Sequence, residues 1–361
     1  MARGCEGIRM SALLAIRRVS KSRISESQRE NPEFGSVFSD HMFVADYVGG
    51  HWGEPEIIPY GPMLLPPSLS ALHYGQSVFE GFRARRTVDG GLALFRPREN
   101  HARLNRSAAR LAMPEVPESL FLEGVAELVR LDREWIPQRE GGALYVRPLY
   151  FGTDEALLVQ PAKRYRLTVV TCPVGPYFAQ PIRLLAEESY GRAFPGGTGD
   201  IKPAGNYAAG FLAARLAQER GFHNVLWLDA TQHRFAEECG VMNIFFVVGG
   251  EAVTPPLSGT ILPGVTRASV LTLMAEMGIR AEERPVPIEE VLDAHAAGNL
   301  TEVFGVGTAA TVAPVECIHY RERELRLAVE PQSSISAQVR ERLEAIQTGR
   351  APDSHGWLMR L

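Results

Sequence analysis

Pro195 to Ala209 reads PGGTGDIKPAGNYAA, and its single lysine, Lys202, sets the question for the rest of the chain. Gly196, Gly197, Gly199 and Gly205 surround it, and Tyr207 follows five residues on. Only three of the 38 basic residues are lysines: Lys21, Lys163 and Lys202. One chemistry needs lysine and cannot use arginine. A primary amine can lose its proton and condense with a carbonyl, whereas a guanidinium stays charged. Taken alone, the stretch also reads as a surface charge in a glycine-rich loop. The rest of the chain has to decide between the two.

At 361 residues the chain is long for one core, so two domains are expected. It is 45% hydrophobic and 22% charged with a net charge of -4, which is globular and implies no general affinity for nucleic acid or anionic membrane. Cys5, Cys172, Cys239 and Cys317 form no CxxC pair, so neither a zinc site nor a disulfide framework is expected. No apolar run approaches the roughly 20 residues that span a bilayer. A cytoplasmic protein is the expectation. The first thirty residues differ: Arg3, Arg9, Arg17, Arg18, Lys21 and Arg23 face only Glu6 before Glu26. That composition resembles a transit peptide, which makes an organellar address the alternative. The reading preferred here is a disordered arm over residues 1–30, with Met10 available as a second start.

Strands are expected at 42–48, 92–96, 143–151 and 165–172 in the first half, and helices at 98–113 and 119–130. The second half is expected to hold strands at 182–187, 224–229, 243–248 and 302–306. Its helices are expected at 207–219, 266–277, 288–297 and 333–346. Strands and helices mixed through both halves give an α/β (α+β) chain. The domains are expected at 31–173 and 186–361, joined by a connection at 174–185 rich in proline and glycine.

Pyridoxal phosphate (PLP) makes four demands on a protein: a lysine for its aldehyde, a carboxylate for the pyridine nitrogen, a donor to the ring oxygen and a cradle for the phosphate. Lys202 meets the first. Glu238 is the carboxylate candidate, with Glu237 its nearest rival, and Tyr207 is the donor. For the phosphate, ILPGVTR (261–267) delivers the amides of Val265 and Thr266 at a helix N-terminus. GVGTA (305–309) adds Thr308, and Arg103 is a possible counter-ion. Each of these also has an ordinary structural reading as a cap, a turn or a solvated face.

Their order and wording settle the matter. HYGQSVFEG (73–81), LFRPRENHARLNRSAARLAMP (94–114), LYVRP (144–148), PVGPYF (173–178), GDIKPAGNY (199–207), EECGVMNIFF (237–246), TPPLSGTILPGVTR (254–267) and EVFGVGTA (302–309) resemble the branched-chain amino acid aminotransferases of the fold-type IV PLP class. The resemblance implies a smaller N-terminal α/β domain and a larger C-terminal domain with a mixed, barrel-like sheet. It places the active site between them, in a homodimer. It makes Lys202 the Schiff-base lysine and proton shuttle, and sets Glu238 on the pyridine nitrogen and Tyr207 on the ring oxygen. Arg103, Val265, Thr266 and Thr308 would hold the phosphate. Phe34, Tyr74, Phe79, Tyr145, Arg147, Tyr177, Val241 and Ala309 would shape the substrate pocket. The implied reaction is ping-pong transamination of a Leu, Ile or Val type L-amino acid with 2-oxoglutarate, and the implied partners are small molecules only.

The chain departs from the family pattern in places. Pro203-Ala204 follow the lysine where the family has a small residue and glycine, Arg83 replaces a common lysine, Arg85 an aromatic, and Val241 a glycine or threonine. These suggest a specialised member with a shifted donor. D-amino acid aminotransferase and aminodeoxychorismate lyase are the alternatives within the fold, and an inactive PLP-binding or a plain phosphate-binding protein the alternatives outside it.

Overall fold

The computed structural model describes residues 14–25, 33–175, 181–308, 311–329 and 333–361. They divide into two compact units. One comprises the chain to Arg86, Gly90–Gly175 and Met359–Leu361; the other comprises Thr87–Asp89 and Pro176–Leu358. The final three residues, assigned by the sequence reading to the C-terminal domain, therefore belong to the first unit, where Leu361 N donates to Leu92 O at 2.9 Å.

The first unit is built on a sheet in which Tyr165–Val174 lies between His41–Val48 and Ala143–Gly152, all antiparallel. Phe82–Arg86 pairs with the far side of Ala143–Gly152. Strand side chains alternate between faces. Leu144, Val146 and Tyr150 join Phe82 and Ala84 in a core closed by Leu104 and Ala108 of helix Pro97–Arg110 and by Phe121, Val125 and Leu128 of helix Glu118–Leu131. Tyr145, Arg147, Arg83 and Arg85 are thereby committed to the opposite face.

The expected disordered arm is partly ordered. Ala15–Ile16 pairs in parallel with Glu56 and Ile57. Val19 N donates to His41 Nε2 at 3.0 Å, and Arg23 N to Asp40 Oδ1 at 2.8 Å. Burial pushes the Asp40 carboxyl up, but bonds from Arg23, Ser22 and Trp135 outweigh it and hold the group below its usual range. Backbone amides that find buried acceptors do not stay in solvent, which is why residues 14–25 follow the sheet. Residues 1–13 and 26–30 of that arm lie outside the described residues.

In the second unit, Met242–Val248, Leu300–Gly307, Thr311–Tyr320, Ile182–Glu187, Asn224–Leu228 and Phe235–Cys239 pair in turn, and Phe235–Cys239 pairs back onto Met242–Val248. The result is a closed barrel. Its interior holds Leu184, Leu226, Ile244, Phe246, Val303 and Val315. Helices Val265–Glu276 and Ile335–Gln347 cover a further cluster around Phe245 and Phe304, whose rings stack at 5.2 Å. The expected helix at 207–219 divides into Gly205–Ala208 and Phe211–Glu219. Gly210 lies at the break, where a Cβ would come 3.2 Å from the Trp227 ring.

The turn from Asn224–Leu228 into Phe235–Cys239 is tied by one carboxylate. Asp229 accepts from the amides of Thr231, Gln232, Arg234 and Phe235 and from the Thr231 hydroxyl. Burial alone would raise its pKa, but these bonds outweigh it and hold the group at about 2. A depressed folded-state pKa stabilises above the unfolded value and loses that contribution as pH falls. Asp229→Asn is therefore expected to lower the thermal midpoint at pH 6. The gap from wild type should shrink as pH falls below about 4 toward 2. A gap independent of pH would contradict this.

Candidate active site

Lys202 sits on a loop held from both sides. Asn206 accepts from Thr198 Oγ1 at 2.7 Å and donates to Thr198 O at 2.6 Å and to Ile201 O at 3.3 Å. Gly199 passes so close to the loop at 260 that a Cβ there would lie 2.4 Å from Thr260 O. A residue with a side chain cannot occupy that approach without moving the backbone. Within this frame Lys202 Nζ donates to Tyr207 Oη at 2.6 Å and lies 5.1 Å from the centre of its ring. The five-residue spacing noted in the sequence is what the short helix Gly205–Ala208 turns into contact.

Glu237 and Glu238 are separated by a bulge. Trp227 faces Glu238, Leu228 faces Ala236, and Glu237 is the extra residue between them. Ala236 and Cys239, three apart, both enter the barrel interior. In a regular strand they would face opposite ways. A bulge re-aims side chains, and here both glutamates are turned toward the loop at 258–264. Glu238 is 2% exposed. Its Oε1 accepts from Leu262 N at 2.8 Å and its Oε2 pairs with Arg192 Nε at 2.9 Å. Arg192 also donates to Thr260 O at 2.7 Å. Glu237 instead accepts from Thr260 Oγ1 at 2.5 Å. A cavity of about 160 Å³ is lined by Glu238, Tyr207, Arg192, Asn206, Val241 and Leu262 among others. Glu238, not its rival, thus shares a cavity with the tyrosine that Lys202 contacts. Val241 lies in the two-residue loop after Cys239, 56% exposed.

Helix Val265–Glu276 begins at Gly264, leaving the first-turn amides of Val265 and Thr266 without helical acceptors. Asn243 sets this end: its Nδ2 donates to Leu262 O at 3.0 Å, and a Cβ on Gly264 would fall 2.1 Å from its Oδ1. Asn243 is also paired with Val306 of Leu300–Gly307, the strand that Thr308 follows. One strand, Met242–Val248, therefore carries both candidate anion donors on its flanks.

The first unit holds the other candidates. Phe34 meets Tyr145 edge-on at 5.1 Å, Arg147 donates to Tyr145 Oη at 3.0 Å, and the Arg147 guanidinium lies 4.7 Å from the Phe79 ring centre. A Cβ on Gly81 would sit 1.9 Å from Tyr145 Oη, so the glycine of the FEG motif makes room for that hydroxyl. Tyr74 ends helix Ser70–Tyr74 and is 44% exposed; no contact joins it to this group among the described residues. Arg103 is not on a solvated helix face. It is 4% exposed, and its Nε and Nη2 bind the two oxygens of fully buried Glu80 at 2.7 and 2.9 Å. Tyr177 and Ala309 lie outside the described residues. The sequence reading passed over Arg192. Its only signal was a lone arginine beside the lysine stretch, and one among so many arginines is not distinctive.

Residues 77–318 match the model of the amino-transferase class IV family. The chain is 46% identical over 329 residues to branched-chain-amino-acid transaminase 1 of Bacillus subtilis (strain 168), covering 90% of this chain and 92% of that protein. It is 44% identical over 347 residues to the branched-chain-amino-acid aminotransferase of Mycolicibacterium smegmatis, covering 94% of each. Among solved structures it resembles the branched-chain aminotransferase of the thermophilic archaeon Thermoproteus uzoniensis with norvaline. That match has a TM-score of 0.72 and 26% identity, over 88% of this chain and 98% of that one.

Members of this family depend on PLP, and the residues of the second unit fit that cofactor on their own chemistry. A primary amine, a buried carboxylate and a helix N-terminus kept clear by a glycine that tolerates no Cβ lie in one compact unit.

Proposed function

The chain belongs to the branched-chain amino acid aminotransferases of amino-transferase class IV, and from this premise we propose that Lys202 is its catalytic residue and 2-oxoglutarate its amino acceptor. The enzyme is a transferase that moves the amino group of branched-chain amino acids with PLP as cofactor. The observation that carries the assignment is the 2.6 Å contact of Lys202 Nζ with Tyr207 Oη, together with buried Glu238 on the cavity that Tyr207 lines.

The cofactor, when bound, supplies an electron sink for the electrons left at the substrate α-carbon. Lys202 would hold its aldehyde, and the side-chain amine, when free, would take the proton from the substrate α-carbon and hold it at Nζ. Tyr207 orients that amine. Glu238 is the acceptor for the ring nitrogen, and Leu262 N and Arg192 fix its two oxygens so that the carboxylate cannot turn away. We assign the phosphate to the amides of Val265 and Thr266 and to Thr308. We assign the substrate side chain to Phe34, Phe79, Tyr145 and Arg147, because an aromatic surface suits a branched aliphatic group that has no polar handle. A homodimer is the proposed assembly.

The visible spectrum of the purified enzyme tests this. L-Leucine, L-isoleucine and L-valine without a keto acid are each expected to bleach the band of the lysine-bound cofactor, and 2-oxoglutarate to restore it. A band that ignores all three but responds to D-alanine would move the enzyme to the D-amino acid group.

A further inference from the structure

The arm at 14–25 ends against the segment that carries Phe34. Arg23 Nη2 donates to Ser39 O at 2.6 Å, its Nε lies 3.6 Å from Asp40 Oδ1, and its guanidinium stands 5.2 Å from the centre of the Tyr60 ring. Ser39 and Asp40 directly follow Phe38 in the chain, and the Tyr60 ring stacks on the Phe38 ring at 5.0 Å with 18° between their planes. One side chain of the arm thus meets both the backbone beside Phe38 and the ring stacked on it. Tyr60 is only half-buried, so its ring keeps its orientation through contacts such as these. Phe38 in turn packs against the cluster of Ala143, Tyr145, Cys172 and Val174. Four residues earlier, Phe34 meets Tyr145 edge-on. Both phenylalanines of the segment therefore converge on the Tyr145 cluster.

We propose, on the assignment of Phe34 and Tyr145 to the substrate side chain, that Arg23 is a positioning residue for the amino donor. It holds Tyr60 and the Ser39 backbone against Phe38, and through Phe38 it sets the wall that Tyr145 and Phe34 present. Dispersion falls steeply when packed surfaces part by a fraction of an ångström. A shifted wall is therefore felt by a branched side chain that fills the pocket, and less by a shorter one. The proton transfer at Lys202 uses none of these residues and should be untouched.

The test follows bleaching of the visible band after rapid mixing with L-leucine or the shorter L-2-aminobutyrate, which separates half-saturation from limiting rate. Arg23→Ala is expected to raise the half-saturating leucine concentration about three- to fivefold, the worth of one exposed cation–aromatic contact. The limiting rate should stay close to wild type, and the change for 2-aminobutyrate should be smaller. The Arg23 side chain is 49% exposed, so the thermal midpoint should hold. Arg23→Lys keeps a cation for Tyr60 without the guanidinium fork and should fall between. Phe38→Leu should reproduce the Arg23→Ala pattern. Arg17→Ala, which removes the exposed arm contact to Glu56, should behave as wild type. A merely structural role would lower the bleached amplitude for every donor alike without moving half-saturation. Equal leucine half-saturation in wild type and Arg23→Ala overturns the proposal. So does an equal shift for both donors, or wild-type half-saturation in Phe38→Leu. A wild-type band that leucine fails to bleach would overturn the substrate assignment itself, and this positioning role with it.

Discussion

Lys202→Ala is expected to give a folded protein whose transamination rate is lower by about 10⁴-fold or more, the upper end of what a positioned acid–base group contributes. Folding should survive, because Lys202 is only half-buried and the loop that carries it is held by Asn206 and Arg192. Lys202→Arg should be nearly as inactive. The guanidinium keeps the positive charge and can still reach toward Tyr207, but it neither condenses with an aldehyde nor gives up a proton. The two variants together separate charge from chemistry. If Lys202→Arg retained a tenth of wild-type activity, the lysine would be a binding residue and the catalytic assignment would be wrong. Circular dichroism and thermal midpoints near wild type, with the visible band of the lysine-bound cofactor lost in both, are the accompanying observations.

Glu80→Ala is expected to destabilise the first unit by about 3–5 kcal/mol, the usual cost of removing one partner of a buried ion pair. Glu80 is fully buried and Arg103 nearly so, and the pair is bidentate. Removing the carboxylate takes away both hydrogen bonds that Glu80 accepts from the guanidinium of an arginine only 4% exposed. Denaturant unfolding followed by tryptophan fluorescence measures the change. Replacing both residues together, Glu80→Met with Arg103→Met, should recover much of the loss, since no charge is then left unpaired. A Glu80→Ala effect below about 1 kcal/mol would mean that water reaches Arg103 and that the pair is not sealed.

Much of this molecule was legible in the chain. The strands at Ala143–Gly152, Tyr165–Val174 and Ile182–Glu187 and the helices at Pro97–Arg110 and Val265–Glu276 follow from apolar periodicity, because each buries one face against a continuous core. The type of chemistry was legible too, through the order and wording of the motifs, since Lys202 and Tyr207 taken alone also read as part of an ordinary glycine-rich surface loop. Other elements were not legible. Phe82–Arg86 carries three arginines in five residues, and only its place beside Ala143–Gly152 reveals a strand. Thr311–Tyr320 contains Pro314, which argues against a strand until both neighbours are in place. Residues 14–25 look like a basic arm until His41 and Asp40 supply acceptors for their amides.

The residues alone left Glu237 a rival to Glu238, and in the sequence only the resemblance chose between them. Adjacent glutamates are equivalent in a string of letters. They become different only when a bulge turns both toward one loop, where Leu262 N and Arg192 meet one carboxylate and Thr260 the other. Local pattern is set by which side chains must leave water, and the chain carries that information along its length. Which donor meets which acceptor is set by distances between residues far apart in the chain, and only the closed barrel brings them within reach.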